Sequence, residues 1–246
     1  AAAGTTGIAL TLLPVLYRHS NFGEMPPSPG QRRFINTLDH FADILASAKR
    51  HMATIDHAVL GIAPHSLRAV SAAEIRAILP LCETGPVHIH AAEQQKEVDD
   101  CLAATGKRPV NASAYLADHG RIGIGSDSHI RIDMAEDIRL LEYGQRLQAQ
   151  RRNVLARPGG STGRRLFDAA LAGSNQALRQ PSGRIETGQR ADFVVLDDQH
   201  PTLVGRSEDA RLDSWLFCGD SRLVREVYVG GQCVVREGRA LTRDRI

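Results

Sequence analysis

Over residues 1–181, short and nearly unbroken apolar runs alternate with amphipathic stretches, and this alternation limits the possible folds more than any other feature. The segments 10–17 (LTLLPVLY), 58–63, 87–91 and 122–126 read as strands. The stretches 32–50, 71–82, 93–104, 133–153 and 162–178 read as helices. Ser71 followed three residues later by Glu74 is a capping box, so a helix is expected to start there. Strands that are apolar on both faces and separated by helices belong in a parallel sheet covered on both sides. A βα barrel and a doubly wound open sheet both meet that description. Past Pro181 the pattern changes to short β signals, at 192–197 and 224–235, with Gly230-Gly231 as a hairpin turn. The expected organisation is a βα domain over 1–181 and a small β-rich domain over 182–246. The stretch 25–30 (MPPSPG) reads as a surface loop.

Composition removes several function classes. With 42% hydrophobic and 24% charged residues the chain is ordinary for a globular protein, so disorder is excluded for most of it. A net charge of +2 gives no footprint for a nucleic acid. The longest apolar run, 7–17, carries Pro14 and falls well short of the ~20 residues a membrane span needs. The start, AAAG, has no basic stretch ahead of an apolar one and is not expected to be a signal peptide; it reads as a chain met in mid-element. Cys82, Cys101, Cys218 and Cys233 form no C-x-x-C pair, which points away from a disulfide framework and towards a reducing cytoplasm.

Three constellations stand at strand ends, where barrel enzymes build their sites. In 87–93 (VHIHAAE), His88 and His90 share a strand face, and His90 lies nearer the end. An imidazole there is a natural Zn²⁺ ligand, and Glu93 just beyond it is a natural proton shuttle. The competing reading is two packed histidines and a Glu favoured by a helix dipole. In 123–129 (GIGSDSH), Asp127 ends a glycine-bearing apolar run, where it can bind a metal, take a proton from water, or merely cap the next helix. In 64–70 (PHSLRAV), His65 and Arg68 suit a carboxylate, since arginine binds carboxylates bidentately; the alternative for Arg68 is a surface ion pair.

Together these segments, with LTLLPVLYRH at 10–19, GQRRFIN at 30–36, VHIHAAEQQKEVDDC at 87–101, GRIGIGSDSH at 120–129, LLEYGQRL at 140–147 and GQRADFVVLD at 188–197, give a specific resemblance. The sequence resembles the amidohydrolase superfamily, and within it the formimidoylglutamate deiminases. The resemblance implies a TIM-type (β/α)₈ barrel, of which only part is present here, plus a small β-sandwich. It implies one Zn²⁺ per subunit, with Fe²⁺ as the alternative metal, and hydrolysis of N-formimino-L-glutamate to N-formyl-L-glutamate and ammonia, a step of histidine degradation. By match to the family motifs, His90 and Asp127 are metal ligands. Asp127 and Glu93 are the catalytic groups, as base and proton shuttle. His65 and Arg68 hold the glutamate part of the substrate, and His88 is not a ligand. A small-molecule substrate, no nucleic-acid or membrane partner, a cytoplasmic location and a homodimer are expected.

Two departures from the family pattern follow. Its first-strand His-x-His pair has no counterpart, because the chain begins at about the fourth barrel strand. A further stretch, bearing an active-site His, is missing near 110–113, so a break in the chain is expected there. These residues are therefore not expected to complete a zinc site alone, and His90 and Asp127 are expected to meet at the barrel mouth. The alternatives are another deaminase or chlorohydrolase of the superfamily acting on a heterocycle, or a catalytically dead fragment.

Overall fold

The computed structural model describes residues 2–91, 94–107 and 112–242. In chain order the elements are α1 (Ala2–Thr6), β1 (Leu10–Leu12), β2 (Val15–Leu16), α2 (Leu38–Met52), β3 (Ala58–Leu60), β4 (Ala63–Pro64), α3 (Ala72–Ile78), α4 (Gln95–Thr105), α5 (Ala112–Ala117), α6 (Met134–Ala149), α7 (Thr162–Leu178), β5 (Phe193–Leu196), α8 (Glu208–Cys218), β6 (Val224–Val229), β7 (Gln232–Arg236) and β8 (Arg239–Ala240). The chain packs as two compact units. One comprises Ala1–Thr5, Ala9–Val110 and Ala177–Gln180; the other comprises Thr6–Ile8, Asn111–Gln176 and Pro181–Ile246. The helices of 111–176 thus pack with the C-terminal sheet, whereas the sequence grouped them with the preceding βα elements.

In the first unit, β1 pairs in parallel with β3, and β2 with β4. Pro14, which has no N–H to give, lies in the gap between β1 and β2, so one apolar run becomes two short strands. The carbonyl of Pro14 still accepts from Ala63 N, and that of Leu16 from His65 N, which keeps the register. A third parallel segment joins through bridges at Ile62–Val87 and Ser66–His90. Three parallel segments therefore end together, at Tyr17, His65 and His90. Gly61 is required where they crowd: a Cβ there would lie 2.3 Å from the Pro86 carbonyl oxygen.

The helix expected at 32–50 begins later. A 3₁₀ turn opens at Pro29, and α2 starts only after Thr37, whose side chain accepts from His40 N. Its Phe41 and Leu45 are buried with Leu16, Tyr17, Ile62, Val70 and Ile78. The Ser71–Glu74 capping box forms as expected and sets the start of α3.

In the second unit β5, β6, β7 and β8 make one antiparallel sheet in that order. Gly230 and Gly231 take φ of 57° and 80°, the pair of positive angles a tight hairpin turn demands. Phe193 and Tyr228 face each other across β5 and β6 with rings stacked at 4.5 Å. The core joins α6, α7 and α8 through Ile138, Leu166, Trp215 and Leu216.

Among the described residues the strands form no closed barrel, and the four C-terminal strands form one antiparallel sheet. One local expectation needs correction. The segment 122–126 is not a strand. It lies against α7 instead: Ile124 N donates to Ser174 Oγ, and the Ile122 carbonyl comes so close to Gly173 that a Cβ there would collide with it. Helix α8 (Glu208–Cys218) lies within the region read as β-rich. The expected chain break near 110–113 falls largely on residues outside those described. No helix among the described residues is long and apolar enough to cross a membrane.

Candidate functional site

The parallel register of the first unit brings one residue from each segment to the same end. His65 N donates to Leu16 O at 3.0 Å, and His90 N donates to His65 O at 2.9 Å. The side chains that follow form a row of rings. Tyr17 and His65 meet edge-on with centroids 4.4 Å apart, and His65 and His90 meet edge-on at 4.9 Å. Tyr17 is buried, His65 half-buried and His90 exposed, so the row runs outward from the core.

Arg68 stands beside this row on the turn after β4. Its Nη1 donates to Tyr17 Oη at 3.1 Å and to Ser20 O at 2.9 Å, while its Cζ lies 5.9 Å from the centre of the Tyr17 ring. Ser66 and Ala69 secure the turn, with Ala69 N donating to the Ser66 carbonyl and Val70 N doing the same.

Neighbouring charges are already matched. Glu74 takes Arg18 Nε at 2.8 Å and His19 Nε2 at 3.0 Å. Burial raises its carboxyl pKa, but the hydrogen bond from Arg18, the backbone N–H of Ser71 and the nearby His19 outweigh that and hold it at about 2. Arg68 has no such partner: among the described residues no carboxylate pairs with it. A half-buried guanidinium without a counter-charge suits an anionic ligand.

One ring nitrogen of His88 is engaged by the backbone. Its Nε2 lies 2.8 Å from Ala177 O, and a carbonyl can only accept, so that nitrogen carries the hydrogen. Asp127 lies in the second unit, on an exposed turn with φ 42°, a left-handed conformation that Asp tolerates. Capping α6, one role open to Asp127, is performed by Asp133, which accepts from Ala135 N and Glu136 N. Glu93 lies outside the described residues. Among those described, no three His, Cys, Asp or Glu side chains are gathered to hold a metal ion.

The structure brings His65, Arg68 and His90 to one end of the parallel segments. The sequence motifs assign no role to Tyr17, Ser20 or Gln31, although the segments at 10–19 and 30–36 carry part of the resemblance. The available signal was positional, since Tyr17 ends its strand as His65 and His90 end theirs.

The family model for amidohydrolases matches residues 33–235. The chain belongs to the amidohydrolase family. It is 41% identical to the formimidoylglutamate deiminase of Pseudomonas aeruginosa over 297 positions, covering 99% of this chain and 65% of that protein. Those positions outnumber this chain's 246 residues, so the relative carries stretches without a counterpart in this amidohydrolase. The crystal structure of an amidohydrolase from Brucella melitensis is similar at a TM-score of 0.86 with 39% identity, over 99% of this chain and 65% of that one. An adenosine deaminase from Xanthomonas campestris with bound zinc shares the fold at a TM-score of 0.77 and 16% identity, over 99% of this chain and 64% of that one. The chain thus spans about 65% of the length of these relatives, and it shares their mixed α/β fold.

Proposed function

We propose that the chain carries the substrate-binding part of a formimidoylglutamate deiminase, which hydrolyses N-formimino-L-glutamate to N-formyl-L-glutamate and ammonia. The observation that carries this reading is Arg68, a half-buried cation fixed at the end of three parallel segments with no carboxylate paired to it among the described residues. The 41% identity to a protein of that name supports it. In this reading Arg68 and His65 receive the glutamate part of the substrate. His90 and Asp127 are metal ligands, Asp127 takes the proton from the attacking water, and Glu93 returns one to the departing nitrogen. A heterocycle deaminase is the weaker reading, because a flat neutral base offers this guanidinium no charge to pair with.

We extend the reading to the whole protein as a zinc-dependent cytoplasmic homodimer built on a (β/α)₈ barrel, of which 1–181 supply a part, and a small β-sandwich domain to which 182–246 belong. Zinc, when bound, makes a nucleophile of water near neutral pH. His90 and Asp127 would be this chain's share of its ligands, and the remaining donors would come from outside the described residues.

Release of ammonia from N-formimino-L-glutamate by the whole zinc-loaded protein tests the reading. Steady turnover of this compound, with adenosine left intact, is the expected result. Turnover of adenosine, with N-formimino-L-glutamate untouched, would overturn it.

A further inference from the structure

The hydroxyl of Tyr17 is doubly occupied as an acceptor. Arg68 Nη1 donates to it at 3.1 Å and Gln31 Nε2 donates to it at 2.9 Å. The orientation of the Gln31 amide is fixed independently, because its Oε1 accepts from Ser28 N at 2.8 Å and its nitrogen must then face Tyr17. Arginine has no acceptor to offer either. Both lone pairs of the phenol oxygen are therefore used, and its own hydrogen must be given elsewhere. Among the described residues nothing accepts it, although Tyr17 is only 7% exposed.

Arg68 is arranged in a complementary way. Both of its protein contacts use Nη1, so the edge formed by Nε and Nη2 faces no partner among the described residues. That edge is the fork that takes a carboxylate side-on. Fixing Nη1 removes rotamer freedom that a ligand would otherwise have to freeze.

We propose that Tyr17 is a ligand-binding residue, its O–H donating to the same carboxylate that the Nε–Nη2 edge of Arg68 receives. The hydroxyl has a second task, which is to hold Arg68 in place through Nη1. This assignment rests on the deiminase reading for the identity of the ligand, a γ- or α-carboxylate of a glutamate derivative, but not for its charge. Gln31 is a positioning residue, because it sets the direction in which the Tyr17 hydrogen points.

The test compares the whole zinc-loaded protein with its Tyr17→Phe variant, which keeps the ring and removes only the oxygen. For N-formimino-L-glutamate, KM should rise by about tenfold to a hundredfold, the usual size for a hydrogen bond to a charged group, while kcat stays within about threefold. Calorimetric binding of glutarate, which needs no turnover, should weaken by a similar factor, whereas the uncharged diamide glutaramide should not bind measurably to either form. Gln31→Leu supplies a second variant should Tyr17→Phe fold poorly, and it should weaken glutarate binding severalfold. If the wild type leaves N-formimino-L-glutamate unchanged yet loses glutarate affinity in both variants, the deiminase reading falls and the carboxylate subsite stands. Glutarate binding that is undetectable in the wild type, or unchanged in both variants, would overturn the subsite.

Discussion

Arg18 donates through Nε to Glu74 Oε1 at 2.8 Å, joining the end of β2 to the first turn of α3 across 56 residues of sequence. The same carboxylate takes His19 Nε2 and closes the capping box with Ser71 N. One side chain thus starts a helix and ties down the strand that carries Tyr17.

Glu74→Gln should therefore be destabilising in a pH-dependent way. The folded carboxyl sits at about 2, below its ordinary value of 4.5. A depressed carboxyl contributes stability fully above its unfolded pKa and loses it as pH falls towards the folded one. The gap between wild type and variant should be about 1–2 kcal/mol near pH 7, the size of a partly buried ion pair with a cap. It should shrink between pH 4.5 and 2. Urea unfolding at several pH values checks this, and a gap that stays constant down to pH 2 would contradict it.

Gly61→Ala should lower stability by about 1–3 kcal/mol, the range for forced overpacking. The added methyl carbon would stand 2.3 Å from Pro86 O, which is itself the acceptor for Ile62 N. The third parallel segment would have to move away, and His90 with it. The urea midpoint should fall with an unchanged slope. A midpoint equal to wild type would mean that the segments are farther apart than described.

Glu142→Ala should be the most damaging substitution in the second unit. Glu142 is wholly buried and accepts from Val154 N, Leu155 N and Arg146 Nε. Removing it strands two backbone donors and a cation, for a loss of about 3–5 kcal/mol. Glu142→Gln keeps an acceptor and should lose less. Equal losses in the two variants, measured by thermal unfolding, would contradict this account.

Local signals in the sequence were read well where the physics is local. The helix expected at 162–178 is α7 (Thr162–Leu178), and the Ser71 cap and the Gly230-Gly231 turn appear as their chemistry demands. The segment 122–126 misled, because apolar residues with glycines fit a strand as well as a ridge lying on a helix. What decided it was contact with Ser174 and Gly173, about fifty residues away in sequence. Helix α8 was legible in principle, with acidic residues in its first turn and Leu212, Trp215 and Leu216 spaced for one face, but β signals on either side hid it. The contacts of Tyr17 are not legible in the sequence, since its partners Gln31 and Arg68 lie 14 and 51 residues away, one on a 3₁₀ turn and one after β4.

The central claim is that Arg68 recognises the carboxylate of a glutamate-derived substrate. The measurement that tests it most directly is kcat/KM of the whole zinc-loaded protein for N-formimino-L-glutamate, with zinc content determined in parallel, for wild type, Arg68→Ala and Arg68→Lys. Losing a buried charge partner typically costs about 2–5 kcal/mol, which is roughly 30- to 4,000-fold in kcat/KM. Arg68→Ala should fall in that range with zinc content unchanged, and Arg68→Lys should recover only part of the loss, because an ammonium lacks the planar fork. Activity of Arg68→Ala within about threefold of wild type, under 1 kcal/mol by the same conversion, would contradict the claim and return Arg68 to the surface.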